Sequence, residues 1–180
     1  MDSIYLTGYL GCGKTVIASI LSKKLQWAWM DTDTEMKLKT GMPMYILYMN
    51  FGESGYQLWE AELIKRKIEE MEKSGEPWVI ACGCGIPDRQ ENIDRLKARK
   101  NVVFLESSLE TLFERVKDDI TRPGAFPQES ADREKQFAMF QEQYEDRLPG
   151  YKEMADVTIQ TDGKTPEQIA DEIIEALNLK

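Results

Sequence analysis

The pattern G-x-x-x-x-G-K-[ST] occupies residues 8–15 of this chain. Glycines at these positions let successive backbone N–H groups converge on an anion, and a helix that starts here adds the partial positive charge of its N-terminus. Lys14 brings a full positive charge, and Thr15 brings a hydroxyl suited to a magnesium ion. The spacing therefore predicts a site for the terminal phosphates of a nucleotide. The alternative is a glycine turn that precedes a helix by chance.

Two aspartates, Asp31 and Asp33, follow a short apolar segment. In an open α/β sheet, the residues that contact ligands stand at the carboxyl ends of strands. Two carboxylates two positions apart in an extended segment share one side, so one could support the metal while the other accepts the proton of an attacking hydroxyl. The alternative is that Asp33 or a neighbour caps the N-terminus of the next helix. Spacing alone leaves both interpretations open.

The turn Gly83, Cys84, Gly85 follows another apolar run, and its glycines allow the backbone to approach a ligand closely. Cys82 and Cys84 form a C-x-C pair, but the sequence around them lacks the further ligands that a metal site needs. With Cys12 they make three cysteines, which we expect to be reduced thiols. The turn therefore predicts a ligand contact rather than a metal centre.

Three arginines are candidates for anion binding. Arg115 and Arg122 flank a polar segment, and Arg147 lies further along the chain. A transferring phosphoryl group needs cationic side chains that offset its developing charge, and the guanidinium fork matches anions in shape. For any one of these arginines, a surface ion pair is the alternative.

Strand-like and helix-like segments must position these residues, and they alternate along the chain. Apolar runs predict strands at residues 3–7, 27–30, 78–82, 102–105 and 157–160. Helical spacing predicts helices at residues 16–25, 34–39, 44–73, 88–100, 109–119 and 166–177, with a turn inside the third at 50–52. Such alternation predicts an α/β fold whose parallel sheet is covered on both faces. We predict one domain, residues 1–180, with a polar, proline-bearing loop at 121–130 between two helical segments.

Composition narrows the class of protein. The net charge of −9 argues against a nucleic-acid partner, because an acidic surface repels a polyphosphate backbone. The chain has no histidine, so proton transfer near neutral pH falls to Asp, Glu, Lys or water. No apolar run reaches the roughly 18 residues of a membrane span, and the N-terminus lacks the marks of a leader. We therefore expect a cytoplasmic protein with no membrane partner.

In order and spacing, these segments resemble the shikimate kinase family, a branch of the P-loop kinases, over nearly the whole chain. The positions that carry the resemblance are the loop 8–15, Asp31, Asp33, Gly52, Glu53, Tyr56, Glu60, Gly83, Gly85, Arg122, Pro123, Arg147 and Tyr151. The resemblance implies a five-stranded parallel sheet, a helical substrate-binding region at about residues 33–62 and a lid at about residues 120–131.

A reaction and its cofactors are implied too. In that family, ATP with Mg²⁺ phosphorylates one hydroxyl of shikimate to give shikimate 3-phosphate, in aromatic amino acid biosynthesis. The resemblance implies catalytic roles for Lys14, Asp33 and Arg122. It implies nucleotide contacts for Gly11, Cys12, Gly13, Lys14, Thr15, Val16 and Arg115, metal contacts for Thr15 and Asp31, and acceptor contacts for Asp33, Gln57, Gly83, Cys84, Gly85 and Arg147. We expect a small-molecule substrate and a monomer or weak dimer.

Two positions depart from the family's pattern. Gln57 stands where the family's G-E-x-x-F-R run ends in arginine, so Arg147 would bind the acceptor's carboxylate without a second cation. Cys84 interrupts a three-glycine turn. Loss of one charge-assisted hydrogen bond lowers affinity roughly ten- to a hundredfold. Two alternatives therefore stay open: a kinase of another small acceptor, such as a sugar acid, polyol or nucleoside, and a nucleotide-binding regulatory protein of the same fold.

Overall fold

Five parallel strands form one sheet in the computed structural model, which describes residues 2–119 and 132–179. Their order across the sheet is β2-β3-β1-β4-β5, and every neighbouring pair is parallel. The strands are β1 (Ile4–Thr7), β2 (Ala28–Asp31), β3 (Trp78–Ala81), β4 (Val102–Glu106) and β5 (Val157–Gln160). The predicted α/β fold with a five-stranded parallel sheet is confirmed.

Helices connect the strands and cover the sheet. In chain order they are α1 (Lys14–Leu25), α2 (Thr32–Thr40), α3 (Met44–Ser74), α4 (Gln90–Lys97), α5 (Leu109–Val116), α6 (Arg133–Met154) and α7 (Pro166–Ala176). Within α3, Gly52 has φ 66° and ψ 179°, which is not helical, so the element is two helical pieces joined at a kink. The turn predicted at 50–52 lies at that kink. In the described residues, no helix is both long and apolar enough to cross a membrane.

The main core lies on both sides of the central strands. Ile4, Leu6, Val79, Ile80 and Phe104 are all completely buried. Strands that are buried on both faces need continuous apolar runs, which is the pattern that predicted them. A second, smaller cluster joins α2 to α3 and consists of Met36, Leu47, Tyr56 and Leu63. This second cluster holds the α2–α3 unit together beside the sheet.

Three helix starts differ from the prediction, each for a local reason. Helix α1 starts at Lys14 rather than 16, because Gly13, with φ 93°, is its N-cap. Helix α2 starts at Thr32 rather than 34, because the Asp31 side chain accepts hydrogen bonds from the backbone N–H groups of its first turn. Helix α4 starts at Gln90 rather than 88, because Arg89 is extended (φ −129°, ψ 122°) after a short 3₁₀ turn. The predicted loop at 121–130 lies outside the described residues.

Candidate active site

The loop at residues 8–15 leaves the carboxyl end of β1 and leads directly into α1. Gly8 has φ 140°, and a Cβ at this position would lie 2.7 Å from the Leu105 carbonyl oxygen of β4. A side chain would therefore clash with the backbone of the neighbouring strand as well as strain its own. Gly13, with φ 93°, caps the helix. The backbone thus curls so that the N-terminus of α1 is available to an anion.

Lys14 lies inside this loop. Its Nζ donates hydrogen bonds to the carbonyl oxygens of Gly8 (2.6 Å) and Tyr9 (3.1 Å). Burial opposes its positive charge, but neighbouring groups, first the Cys12 thiol and also the Asp33 carboxylate, outweigh that effect and raise the pKa of Lys14. The ammonium is therefore charged at neutral pH and is held at the centre of the loop.

Thr15 and Asp31 meet beside the loop. The Thr15 hydroxyl donates to Asp31 Oδ2 at 2.6 Å, while Asp31 Oδ1 accepts from the backbone N–H groups of Asp33 (3.0 Å) and Thr34 (3.1 Å). One carboxylate therefore caps α2 and also faces the loop. Among the described residues, no cluster of three or more His, Cys, Asp or Glu could hold a metal by itself. The hydroxyl and carboxylate oxygens fit Mg²⁺ chemistry, since this ion commonly binds one or two protein oxygens together with substrate phosphates and water.

Asp33 occupies the first turn of α2 and contacts α3. The Tyr56 hydroxyl donates to Asp33 Oδ1 at 2.9 Å. Burial and the neighbouring Asp33 charge both raise the pKa of Tyr56, so this phenol stays protonated and remains a donor. The hydrogen bond holds the Asp33 carboxylate at the carboxyl edge of the sheet.

The turn after β3 lies beside Asp33 and Glu60. The Gly83 N–H donates to the buried Thr32 hydroxyl at 2.8 Å, which fixes the turn against the start of α2. A Cβ on Gly83 would lie 1.9 Å from Glu60 Oε1 and 2.9 Å from Asp33 Oδ1. Only glycine therefore leaves room for these two carboxyl groups, which approach each other across the turn.

Glu60 is buried, at 1% exposure, and neither of its carboxyl oxygens has a hydrogen-bond partner among residues 2–119 and 132–179. Burial, and then the charges of Asp33 and Asp88, raise the pKa of Glu60 to about 8. The nearby cations Arg147 and Lys14 oppose this shift only in part. Glu60 is thus a neutral carboxylic acid at neutral pH, in a position to hydrogen-bond a ligand.

Replacement of Glu60 with glutamine tests this assignment through the pH dependence of stability. Between pH 4.5, the ordinary pKa, and about pH 8, the unfolded chain loses the Glu60 proton while the folded chain keeps it. The free energy of unfolding therefore falls as pH rises through this window, by at most about 1.4 kcal/mol per pH unit. In Glu60→Gln this contribution is absent, so we expect the variant to gain stability relative to the wild type as pH rises from 5 to 8 in urea unfolding.

The matched control for this measurement is Glu62→Gln, an exposed glutamate of the same helix (59% side-chain exposure). It makes the same chemical change without removing a buried acid, so its pH profile should run parallel to the wild type. If the Glu60→Gln profile also runs parallel to the wild type, the raised pKa of Glu60 is contradicted.

Arg147 reaches the same turn from α6 and binds Asp88. Its Nε and Nη2 donate to Asp88 Oδ1 and Oδ2, both at 2.7 Å. Burial opposes the guanidinium charge, yet the Asp88 hydrogen bonds outweigh it and raise the pKa of Arg147. Gln57 Nε2 also donates to Asp88 Oδ2, at 3.3 Å. Three side chains from α3, the turn after β3 and α6 therefore form one cluster.

Cys84 contributes its backbone and its thiol to this region. The Tyr151 hydroxyl donates to the Cys84 carbonyl oxygen, which ties α6 to the turn. Burial raises the pKa of the Cys84 thiol to about 11, so the thiol is protonated at neutral pH. Cys84 is therefore a small neutral group at the turn.

The structure brings most of the predicted residues together at one edge of the sheet. Arg115 in α5 donates to the Gly11 carbonyl oxygen at 3.0 Å, so it lies against the loop, and Val16 is 53% exposed on the first turn of α1. Arg122 lies outside the described residues. Sequence reasoning missed Asp88, which it assigned only to the start of a helix, and gave Glu60 no role. A signal for Asp88 was its place three residues after Gly85, at the carboxyl end of a strand.

Comparison with known proteins agrees with this geometry. The shikimate kinase family model matches residues 10–178. The shikimate kinase of Thermodesulfovibrio yellowstonii is 35% identical over 174 residues, which are 97% of this chain and 94% of that protein. The shikimate kinase of Persephonella marina is 33% identical over 174 residues, which are 97% of this chain and 98% of that protein.

Solved structures show the same likeness. The shikimate kinase from Acinetobacter baumannii in complex with shikimate superposes with a TM-score of 0.88 at 27% identity, and the match covers 100% of this chain and 96% of that chain. Family model and relatives thus agree over almost the full length. This chain belongs to the shikimate kinase family, whose members are ATP-dependent phosphotransferases with an alcohol group as acceptor.

Proposed function

We propose that this chain transfers the terminal phosphoryl group of ATP to one hydroxyl of shikimate, giving shikimate 3-phosphate and ADP. The observation that carries the proposal is that the loop holding Lys14 and the helix start holding Asp33 follow the carboxyl ends of β1 and β2, two strands of one parallel sheet. Asp33 is also among the groups that raise the pKa of Lys14, which agrees with a cation and a carboxylate in one site. Phosphoryl transfer needs such a pair, because one group offsets charge on the phosphoryl while the other receives a proton.

On the nucleotide side, the N–H groups of residues 11–16 and the ammonium of Lys14 bind the phosphates. We infer that Arg115 contacts the nucleotide's base, which its hydrogen bond to the Gly11 carbonyl oxygen supports. Thr15 and Asp31 would hold Mg²⁺ through their oxygens. The ion, when bound, neutralises charge on the phosphate oxygens. Each group then acts on charge that develops in the transition state.

On the acceptor side, Asp33 orients the attacking hydroxyl. The hydroxyl oxygen forms a bond to the γ-phosphorus, the bond from that phosphorus to the bridging oxygen of ADP breaks, and the hydroxyl proton passes to the Asp33 carboxylate. Gln57, the turn at residues 83–85 and Arg147 line the acceptor's place. The substrate-binding region at 33–62 is supported by Asp33, Tyr56 and Glu60, which α2 and α3 supply together. A lid at 120–131 that carries Arg122 stays a prediction.

The test is an acceptor panel with the purified full chain. ATP, Mg²⁺ and either shikimate, a sugar acid, a polyol or a nucleoside are combined, and ADP release is measured together with the phosphorus NMR spectrum of the product. We expect ADP release that depends on shikimate and a new phosphomonoester signal in equal amount. Calorimetry with ATP and Mg²⁺ measures nucleotide binding in parallel.

Two outcomes would contradict the proposal in different ways. Turnover of another acceptor with none of shikimate would assign the chain to a different small-molecule kinase. Nucleotide binding without transfer to any acceptor would favour a regulatory protein. The expectations of a cytoplasmic location and of a monomer or weak dimer stay predictions, and sedimentation analysis measures the second.

A further inference from the structure

Asp88 and Arg147 form a bidentate ion pair among the residues predicted to contact the acceptor. Both nitrogen-to-oxygen distances are 2.7 Å, and the two side chains are 15% and 13% exposed, respectively. A paired hydrogen bond of this geometry uses the whole Nε–Nη2 edge of the guanidinium. That edge is one of the two guanidinium edges whose spacing matches a carboxylate, so Asp88 occupies one of the two places where Arg147 could bind an incoming anion.

Asp88 lies against the turn that is predicted to contact the acceptor. A Cβ on Gly85 would lie 3.2 Å from Asp88 Oδ2 and 3.2 Å from Glu60 Oε2, so Asp88 and Glu60 flank the same turn. Gln57 Nε2 donates to the same Oδ2 at 3.3 Å. Arg147, predicted to bind the acceptor's carboxylate, and Gln57, predicted to contact the acceptor, are therefore both engaged with one carboxylate of the chain itself.

We propose that Asp88 is an acceptor-specificity residue, because its carboxylate offsets the charge of Arg147 and holds one of the edges by which this guanidinium could bind the acceptor's carboxylate. The proposal rests on the proposed function, since it concerns how the same pocket binds shikimate. An acceptor anion must either displace Asp88, which leaves a buried carboxylate without its partner, or bind without that edge of Arg147. In both cases the negative charge of the acceptor contributes little to binding. The site thus recognises the hydroxyl-bearing ring and gains little from its charge.

A comparison of shikimate with its methyl ester measures this directly, because the ester keeps the hydroxyls and removes the charge. For the wild type we expect the two compounds to differ less than about threefold in kcat/KM and in dissociation constant. For Asp88→Asn we expect the acid to be favoured over the ester by a further factor of about ten to a hundred, since Arg147 then has a full charge to offer the acid. Asp88→Glu keeps the negative charge and should keep the wild-type ratio.

The matched control is Glu91→Gln, which removes one negative charge from the same segment. Glu91 pairs with Arg89 at 2.7 Å and is 47% exposed, away from Arg147. Its ratio of kcat/KM for the acid to kcat/KM for the ester should equal that of the wild type. A changed ratio in this control would overturn the proposal, because general electrostatics rather than the Asp88–Arg147 contact would then set the preference.

The wild type alone can overturn the proposal, whatever the variants do. If kcat/KM or the affinity of the wild type is tenfold or more higher for the acid than for the ester, Arg147 binds the acceptor's carboxylate despite Asp88. An unchanged ratio in folded Asp88→Asn is equally contradictory. Calorimetry gives dissociation constants for the acid and the ester without any turnover. Failure of phosphoryl transfer would therefore contradict the proposed function, and the role of Asp88 could still be tested by binding.

Discussion

Replacement of Lys14 with alanine is expected to lower kcat/KM by about a thousandfold, the loss that follows when one preorganised cationic or hydrogen-bonding group is removed from a phosphoryl or oxyanion site. Lys14 is the cation held within the loop at residues 8–15, and its acidic surroundings raise its pKa, so it is charged at neutral pH. It is partly buried, which strengthens its attraction for phosphate oxygens. Steady-state kinetics with ATP and shikimate measure the loss.

The same variant should bind ATP more weakly, by at least about tenfold in calorimetry, because the ground-state phosphates lose a charge-assisted hydrogen bond. Lys23→Ala is the matched control, since Lys23 lies on the same helix and is exposed. It should leave both quantities within twofold. Unchanged turnover in Lys14→Ala would remove Lys14 from the mechanism.

Replacement of Asp33 with asparagine is expected to lower kcat by about a hundred- to ten-thousandfold, the range found when a general acid or base is removed. The amide keeps the size of the side chain and can still accept from the Tyr56 hydroxyl, now 2.9 Å from Asp33 Oδ1. It cannot take up the proton of the attacking hydroxyl. Transfer should therefore be lost while the dissociation constant for ATP stays within about threefold.

The variant Tyr56→Phe tests the hydrogen bond that positions Asp33 separately from the carboxylate that accepts the proton. This variant removes the hydrogen bond to Asp33 and keeps the carboxylate, so kcat should fall by less than about tenfold. Single-turnover measurements with both variants compare the chemical step itself. If Asp33→Asn transfers phosphoryl groups at a wild-type rate, Asp33 is not the partner of the hydroxyl.

Much of the fold could be predicted because its signals are local. Apolar runs such as residues 78–82 predicted strands that are buried on both faces, and the structure has β3 at Trp78–Ala81. The alternation of strands with helices then left a parallel sheet as the consistent arrangement. Helix starts were less certain, because caps depend on single side-chain hydrogen bonds. Asp31 showed this by starting α2 two residues early.

The site could be predicted in part, for a related reason. The loop at 8–15 is recognisable because its function resides in backbone geometry that only a particular run of glycines allows. Spacing could not decide between a metal contact and a helix cap for the aspartates at the end of β2. In the structure, Asp31 caps α2 and also accepts from the Thr15 hydroxyl. Glu60 was among the positions that carry the family resemblance, but its pKa is raised by its burial and by the charges of Asp33 and Asp88. Spacing along the chain does not encode that environment.

The sequence by itself determined the phosphate-binding loop, the order of strands and helices and the likeness to one kinase family, because each follows from residue types at short, fixed spacings. Only the tertiary structure decided what Arg147 binds. Its partner Asp88 lies 59 positions away on another element, and Gln57 reaches the same carboxylate from a third. Contacts between distant segments depend on how whole elements pack, so the charge that the acceptor meets was set by the fold rather than by any local pattern.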